Sequence, residues 1–586
     1  MIRSLCSLAI LACALFAQST NAQTTPATPN VLLICLDDLG FEKLDSYGVT
    51  ANPYPTPNLN ALAAQGVRFE NAWAAPLCTP TRACILSGRF GRRTGVGHLV
   101  PTFGLADSEV TIAEHLDSAN SGYGTAAVGK WHASLPQAGA SAPNDQGFDH
   151  FAGYVFGLSD YYAWFRTVDG VTDTSLEYAP SQMIDDALAW IGTQEATDTP
   201  WFCYLAPVSI HTPFQAPPAH LHTEDLPGLD PDVDQEAFAR AMAEAIDNEI
   251  QRMLTALGTS LDETVVILTS DNGSEQDLLE PQFNPLGGKG SPFESGVRVP
   301  LIVSGPIVDN PGRVVTQPVH VVDLFATVAE LCGVPVPQGQ PEFDSQSLIP
   351  VLEDETATLA RTIIYTEAFT PIRELLPCDF RAARTERFKL VRFYCPGELV
   401  QESFYDLLSD PNEFNDLLSS ATPLTLEESE ARTSLSDYID QLTDIGNGLS
   451  TFGATNCVGS NGTLELFGAG NPVLGDAFVL LVENGAPLTP VTLMFSVPSI
   501  APGTVPLPLD LEPLGTGPDC FLQIEPMTNL VVVANAGGRA GLRFEVPNLM
   551  SLLGLTVDSQ AILLDAGLVG SVSLPLVTSN VVRAIY

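Results

Sequence analysis

Residues 76–84 read PLCTPTRAC, and they place Cys78, Pro80 and Arg82 together in a chain with 69 acidic and only 25 basic residues. A cysteine here can be an apolar filler, half of a disulfide, a metal ligand or a nucleophile. Pro80 suits the first turn of a helix, and the spacing predicts a helix running through Leu86 and ending near Ser87-Gly88-Arg89. Cys78 then stands at a helix N-terminus, where backbone N–H groups and the helix dipole favour anions, and Arg82 can turn back toward it. The continuation GRFGRRTG adds Arg89, Arg92 and Arg93, some of them expected in ordinary salt bridges. Two further pairs carry oxygen. The apolar run VLLICL ends in Asp37-Asp38, and VVILTS ends in Asp271-Asn272. Four such side chains at two strand ends suit a hard cation such as Ca²⁺. Each pair alone also reads as an ordinary turn.

These groups need a scaffold that brings strand ends together. From about residue 28 to 350, apolar runs (NVLLICLDD, TAAVGKW, PWFCYLAPV, ETVVILTSDNG, RVPLIVSG) alternate with helical spacing in TPNLNALAAQG, VTIAEHLDSA and QEAFARAMAEAIDNEIQRMLTALG. Continuous rather than alternating apolar strands predict a sheet covered by helices on both faces, hence an α/β fold with a mostly parallel sheet. Sites in such folds form at strand ends. The partition read from the chain is a leader at 1–22, a catalytic α/β domain at 23–353, a small α+β subdomain at 354–447 and an all-β, sandwich-like accessory domain at 454–586. The last region holds short apolar runs between Gly and Pro turns, with no lysine and no histidine. Lacking acid–base equipment, it is expected to serve attachment, spacing or glycan contact.

The first 22 residues, MIRSLCSLAILACALFAQSTNA, have the form of a signal peptide cleaved after Ala22, which predicts export to a periplasmic, cell-surface or extracellular location. The apolar run is too short to span a bilayer. A formal charge of −44 argues against nucleic-acid partners and against adhesion to anionic membranes. Without the leader nine cysteines remain, an odd number for an oxidising compartment. Cys378 with Cys395, and Cys457 with Cys520, are candidate disulfides.

The order of motifs resembles one family. C-T-P-T-R at 78–82 is similar to the C-x-P-x-R pattern of type I, formylglycine-dependent sulfatases, arylsulfatase-like members of the alkaline-phosphatase-like superfamily. GYGTAAVGKWH, VSIHTPF, TSDNG and GGKGSPFESGVRVP follow in the family's order, with Ser295 in place of a glycine, and FYDLLSDPNEFNDL resembles the family's C-terminal subdomain. The likeness covers roughly 28–445 and leaves the β-rich tail outside.

That resemblance implies a sulfuric ester hydrolase acting on sulfated small molecules or carbohydrates. It makes Cys78 the precursor of formylglycine (3-oxoalanine), made by a formylglycine-generating enzyme. It assigns Asp37, Asp38, Asp271 and Asn272, beside the modified Cys78, to one Ca²⁺, and Arg82, Lys130, His132, His211 and Lys289 to the rest of the pocket. His211 is expected to protonate the leaving group, His132 to take the second hydroxyl's proton, and Asp271 to assist attack. Alone, each has a plainer reading: solvated lysines, a loop histidine, a capping or core histidine. Two other functions compete: a phosphomonoester or phosphonate-ester hydrolase of the same superfamily, and a non-catalytic glycan-binding protein.

Overall fold

The structure is a computed structural model. It describes residues 28–445 apart from 100–103, 136–137, 337–342, 370–377 and 396–398, and beyond 445 only the backbone of strand segments. The leader at 1–22 and the Cys457–Cys520 pairing lie outside the described residues.

A ten-stranded sheet forms the centre. Its strands in chain order are β1 (Asn30–Leu36), β2 (Gly66–Phe69), β3 (Gly124–Lys130), β4 (His150–Tyr154), β5 (Trp164–Val168), β6 (Val171–Ser175), β7 (Trp201–Ala206), β8 (Thr264–Ser270), β9 (Leu301–Ser304) and β10 (Arg313–Val315). In space the order is β10-β2-β9-β8-β1-β7-β3-β4-β5-β6. The five strands β8-β1-β7-β3-β4 run parallel. The period of two in β1 explains why it must be covered twice. Val31, Leu33 and Cys35 join one core with Ile85, Leu324, Phe325 and Val328, whereas Leu32, Ile34 and Leu36 join the other with Met183, Ile184, Met242 and Ile246. Helices α1 (Cys78–Ser87), α2 (Ala179–Glu195), α3 (Gln235–Leu257) and α4 (Asp323–Leu331) supply those partners. The mostly parallel, helix-sandwiched sheet expected from the sequence is therefore present.

Two elements differ from the sequence reading. RVPLIVSG is a strand, β9, but it runs antiparallel to both neighbours. The chain stays at one end of the sheet from Asp271 to Pro300, so the next strand has to run back. Helix α2 is not among the helices read from the sequence, although Met183, Ile184, Ala187, Trp190 and Ile191 are buried at helical spacing.

A second, antiparallel sheet follows: β11 (Ile364–Ala368), β12 (Asp379–Arg384), β13 (Phe388–Tyr394) and β14 (Leu399–Asp406), with α5 (Leu426–Ile445) behind it. Its core residues Leu390 and Phe404 pack with Leu435 and Ile439 of α5 and with Cys84, Phe90 and Val322 of the first region, so the two regions share a core. Cys378 and Cys395 are joined as a disulfide beside this sheet. Past residue 445, the described strands pair antiparallel, from Leu449–Phe452 with Val581–Ile585 to Pro490–Ser496 between its two partners. No described helix among residues 28–445 is long and apolar enough to cross a membrane.

Candidate active site

Four adjacent parallel strands end at one place. Asp37 and Asp38 follow β1, Lys130 ends β3 and His132 lies two residues on, His211 lies on the loop after β7, and Asp271 and Asn272 follow β8. Helix α1 enters with Cys78 as its first residue and ends with Gly88 in the left-handed region (φ 67°), as the sequence pattern predicts. Lys289 arrives from the 287–300 turn, its backbone N–H held by the Ser274 carbonyl at 2.9 Å. Every site residue named from the sequence is in this cluster. Asp37, Asp38, Cys78, Arg82, Lys130, Asp271 and Asn272 are buried, while His211 keeps about a quarter of its side chain exposed.

The interior is a web of opposite charges. Lys130 Nζ donates to both oxygens of Asp37 at 3.0 and 2.8 Å. Arg82 donates from Nη2 (2.6 Å) and Nε (3.2 Å) to Asp271 Oδ2, and from Nη1 to the Lys130 carbonyl (2.9 Å) and the Tyr204 hydroxyl (3.3 Å). Lys289 Nζ bridges Asp38 Oδ2 at 2.8 Å and Glu275 Oε1 at 3.0 Å. Asn272 donates from its amide to Asp38 Oδ1 at 2.7 Å and to the Gly273 carbonyl at 2.9 Å. Asp38 itself has φ 63°, a conformation a non-glycine residue rarely adopts and one that recurs at functional sites.

The ionisation states follow from burial set against these partners. Burial would raise Asp38, but Lys289, His211 and Lys130 outweigh it and hold the carboxyl well below its usual range. Asp271 goes the other way, to about 6, pushed by burial and by Asp37 despite Arg82. Burial and then the neighbouring cations lower both histidines, His132 far below its ordinary value and His211 to about 4. Burial raises the Cys78 thiol. A thiol kept protonated is a poor nucleophile.

His132 Nδ1 faces the Cys78 Sγ at 3.2 Å and the Thr79 hydroxyl at 3.4 Å. Its backbone, at φ 49°, is anchored by an N–H to the Val155 carbonyl at 3.0 Å. The loop that starts at Val155 reaches Tyr161, whose hydroxyl donates to the Val208 and His211 carbonyls at 2.9 and 2.6 Å. One loop thus ties down both histidines. His211 Nδ1 lies 2.5 Å from the Thr212 carbonyl, which makes it the donor and turns Nε2 toward Asp38 Oδ2, 4.0 Å away.

Ligand atoms of Asp37, Asp38 and His211 lie within 4.8 Å of one another, so an imidazole joins the carboxylates that the sequence reading grouped with Asp271 and Asn272. Asn272 Oδ1 is buried with no hydrogen-bond partner, a bare acceptor on the side chain whose amide donates to Asp38. A buried unpaired carbonyl oxygen is costly unless a cation uses it. The residues present fit a divalent cation.

Sequence reasoning missed three supporting groups. Glu275 follows Asn272 by three residues and could have been reached by extending the DNG motif. Tyr204 and Tyr161 sit in a strand and a loop with no local signal for their roles. The arginines after α1 stay out of the site: Arg89 pairs with Glu109 at 2.6 Å, Arg92 with Glu367 at 3.0 Å and Arg93 with Asp344 at 2.8 Å.

The family described as Sulfatase matches residues 29–334, and the one described as N-sulphoglucosamine sulphohydrolase, C-terminal, matches 289–439. The chain is 30% identical to arylsulfatase A of Homo sapiens over 479 residues, covering 71% of this chain and 89% of that one. It is 31% identical to N-acetylgalactosamine-6-sulfatase of Sus scrofa over 428 residues, covering 66% and 78%. In fold it is similar to the structure of BT4656 in complex with its substrate D-glucosamine-2-N,6-O-disulfate, with a TM-score of 0.57, 22% identity and coverage of 71% and 98%.

Proposed function

The chain belongs to the sulfatase family and is a sulfuric ester hydrolase, and from that premise we propose that it removes sulfate from sulfated carbohydrates, using formylglycine made from Cys78 beside one Ca²⁺ held by Asp37, Asp38, Asp271 and Asn272. The observation that carries the reading is the charge balance around Cys78. Four carboxylates (buried Asp37, Asp38 and Asp271, and the partly exposed Glu275) face three cations (Arg82, Lys130, Lys289), so a divalent ion still leaves the pocket with a net positive charge. A pocket of that sign suits an anionic ester. Side-chain oxygens predominate among the donors, which favours Ca²⁺ over softer metals.

When bound, the ion supplies Lewis-acid charge at the sulfate oxygens. A hydrated formylglycine at position 78 would supply one hydroxyl to displace the ester's alcohol from sulfur and a second whose deprotonation would expel sulfate by cleaving its bond to carbon, restoring the aldehyde. Lys130 and Lys289 offer N–H donors from fixed ammonium groups, each already oriented by a carboxylate. Arg82 fixes Asp271 and the end of β3. His132, kept neutral by burial and its cationic neighbours, has Nδ1 placed to accept a proton from the group at position 78. For His211 to protonate the leaving oxygen, Nε2 must gain a proton while Nδ1 keeps its own, and the negative charge of the substrate favours that.

The carbohydrate class is supported by the N-acetylgalactosamine-6-sulfatase relative and the disulfated glucosamine in the neighbouring structure. Export is supported by the leader at 1–22 and by the Cys378–Cys395 disulfide, a bond at home in oxidising compartments. Cys78 and Arg82 are 1% and 0% exposed, so the modifying enzyme must read this stretch before it folds. The deciding experiment couples mass spectrometry of the Cys78 peptide with a hydrolysis screen over defined sulfated saccharides and a small aryl sulfate. An aldehyde at position 78 and turnover of a saccharide are expected. Full activity with only a thiol there, or turnover confined to the aryl ester, defeats the reading. N-terminal sequencing of the mature protein should begin at Gln23.

A further inference from the structure

Behind the pocket lies a second pair of charges that the reaction does not use. Glu42 and Lys43 are 1% and 2% exposed, on the turn that follows Asp37-Asp38. Burying a carboxylate is costly, and Glu42 Oε2 has no hydrogen-bond partner. What Glu42 does hold is Ser274: the serine hydroxyl donates to Glu42 Oε1 at 2.5 Å and accepts the Gly40 N–H at 3.1 Å. Gly40 is two residues past Asp38, and Ser274 is two residues past Asn272. The bridge therefore joins the two ligand-bearing loops immediately beyond their ligands.

It is one of several such stitches. Asp38 N–H reaches Asp271 Oδ1 at 3.3 Å, and Leu39 N–H reaches Ser270 Oγ at 3.1 Å. Ser270 needs no added side chain, because its hydroxyl donates to backbone carbonyls, Leu36 across on β1 and Asn272 on its own loop, at 3.3 and 3.2 Å. Ser274 is different: its proton has to go somewhere for its lone pair to face Gly40, and Glu42 is where it goes. The fit leaves no slack, since a Cβ on Gly40 would meet Ser274 Oγ at 2.7 Å. Lys43 closes the far end, its Nζ donating to the Leu278 carbonyl at 2.5 Å and lying 4.9 Å from the centre of the Tyr54 ring.

We propose that Glu42 is a positioning residue for the divalent cation, acting through Ser274 and Gly40 to hold the Asp37-Asp38 and Asp271-Asn272 loops at ligating distance. The inference rests on the calcium reading above. Partners that orient metal ligands from outside typically contribute about 10- to 100-fold in metal affinity. Two plainer roles are possible for a buried glutamate here: a long-range negative charge that attracts the ion, or a fold contact with no bearing on the metal. The side-chain chemistry separates them. Glutamine keeps an oxygen that accepts the Ser274 proton but removes the charge, and alanine at 274 removes the bridge but keeps the charge.

The experiment is calcium titration by calorimetry on metal-stripped full-length protein, with melting temperatures in chelator to establish that each variant is folded. Glu42→Ala and Ser274→Ala should weaken calcium binding about tenfold. Glu42→Gln should stay within about threefold of the parent, and kcat at saturating calcium should return toward the parent value in all three. Calcium affinity within about twofold of the parent in the alanine variants overturns the proposal, as does a Gln variant as weak as Ala while Ser274→Ala binds normally. If Glu42→Ala does not fold, Ser274→Ala decides. A parent protein that takes up no calcium defeats the calcium reading itself, which is a separate result from variants that bind as the parent does.

Discussion

Two clusters of buried charge lie on opposite duties in this molecule. Around Cys78 are Asp37, Asp38, Asp271, Arg82, Lys130 and Lys289. Where the second sheet meets the first region are Glu294, Arg384, Lys389 and Glu413, all at most 4% exposed. In the second cluster Glu294 accepts from Trp73 Nε1 at 3.1 Å, Lys389 at 3.2 Å and Arg384 at 2.6 Å, while its N–H donates to Glu413 at 2.6 Å. The ingredients are alike. The difference is what stands beside the leftover valence: the pocket holds a bare Asn272 oxygen, a histidine about a quarter exposed and a cysteine against a neutral imidazole, whereas in the Glu294 cluster Glu413 Oε1 also lacks a hydrogen bond but lies 2.7 Å from Lys389 Nζ, against a tryptophan and the protein core. Burial and pairing alone therefore do not mark an active site; unspent valence beside a reactive atom does.

The largest expected effect breaks activity without touching stability. Cys78→Ala should lower kcat on any sulfate ester by about 10⁴-fold or more, as loss of a nucleophile does, with the melting temperature little changed. Asn272→Ala and chelation should also abolish turnover, and excess calcium should restore the chelated parent. An Asn272→Ala protein that keeps its metal and its rate would show that the orphaned oxygen is not a ligand.

The mirror experiment is at Lys389, which is fully buried between Glu294 and Glu413. Removing one member of a buried ion pair typically costs about 3–5 kcal/mol, because its partners are left uncompensated. Lys389→Ala should therefore lower the denaturation midpoint sharply, while kcat per folded molecule stays near the parent value. A variant that keeps its stability but loses turnover would mean that the cluster communicates with the pocket.

The chemistry was legible in the sequence because it is local: C-T-P-T-R, the strand-end pairs and the lysine of GGKGSPFESGVRVP each sit in short stretches whose order survives in one dimension. The same last motif also carries Glu294, and nothing local says that five residues past Lys289 the chain changes task, since Arg384 and Lys389 come from strands about 90 residues later. Tyr204, Tyr161 and Glu42 were hidden for the same reason, as their partners are set by sheet order. The parallel core was readable from continuous apolar runs. The reversal of β9 was not, because direction depends on where the preceding loop lies rather than on the strand's own residues.

A smaller effect separates the clusters by pH. Burial would raise Glu294, but Arg384, Lys389 and Arg298 outweigh it and hold its pKa at about 2. Its folded value lies below its ordinary one, so its contribution to stability is present above about pH 4.5 and is lost as pH falls toward 2. Melting temperatures across that window should fall less steeply for Glu294→Gln than for the parent. Parallel curves would show that this carboxylate is not held in its charged form by the cluster.

The smallest expected effect concerns what lies past α5. Both clusters are complete by Glu413, and the core shared with the first region ends at Ile439 and Leu442. Residues 451–586 carry no lysine and no histidine, so they have little to add to either set of charges. A chain ending near Gly448 should then keep the melting behaviour of the Glu294 cluster and turn over a small soluble sulfate ester at close to the full-length rate. On a sulfated polysaccharide its rate should fall, because a tail that holds polymer raises the local concentration of substrate at the pocket. The measurement is a paired assay of both chains on the small ester and the polymer. If the shortened chain is folded yet loses the small ester, a group beyond residue 448 reaches the pocket, and the division between a self-sufficient site and an accessory tail fails.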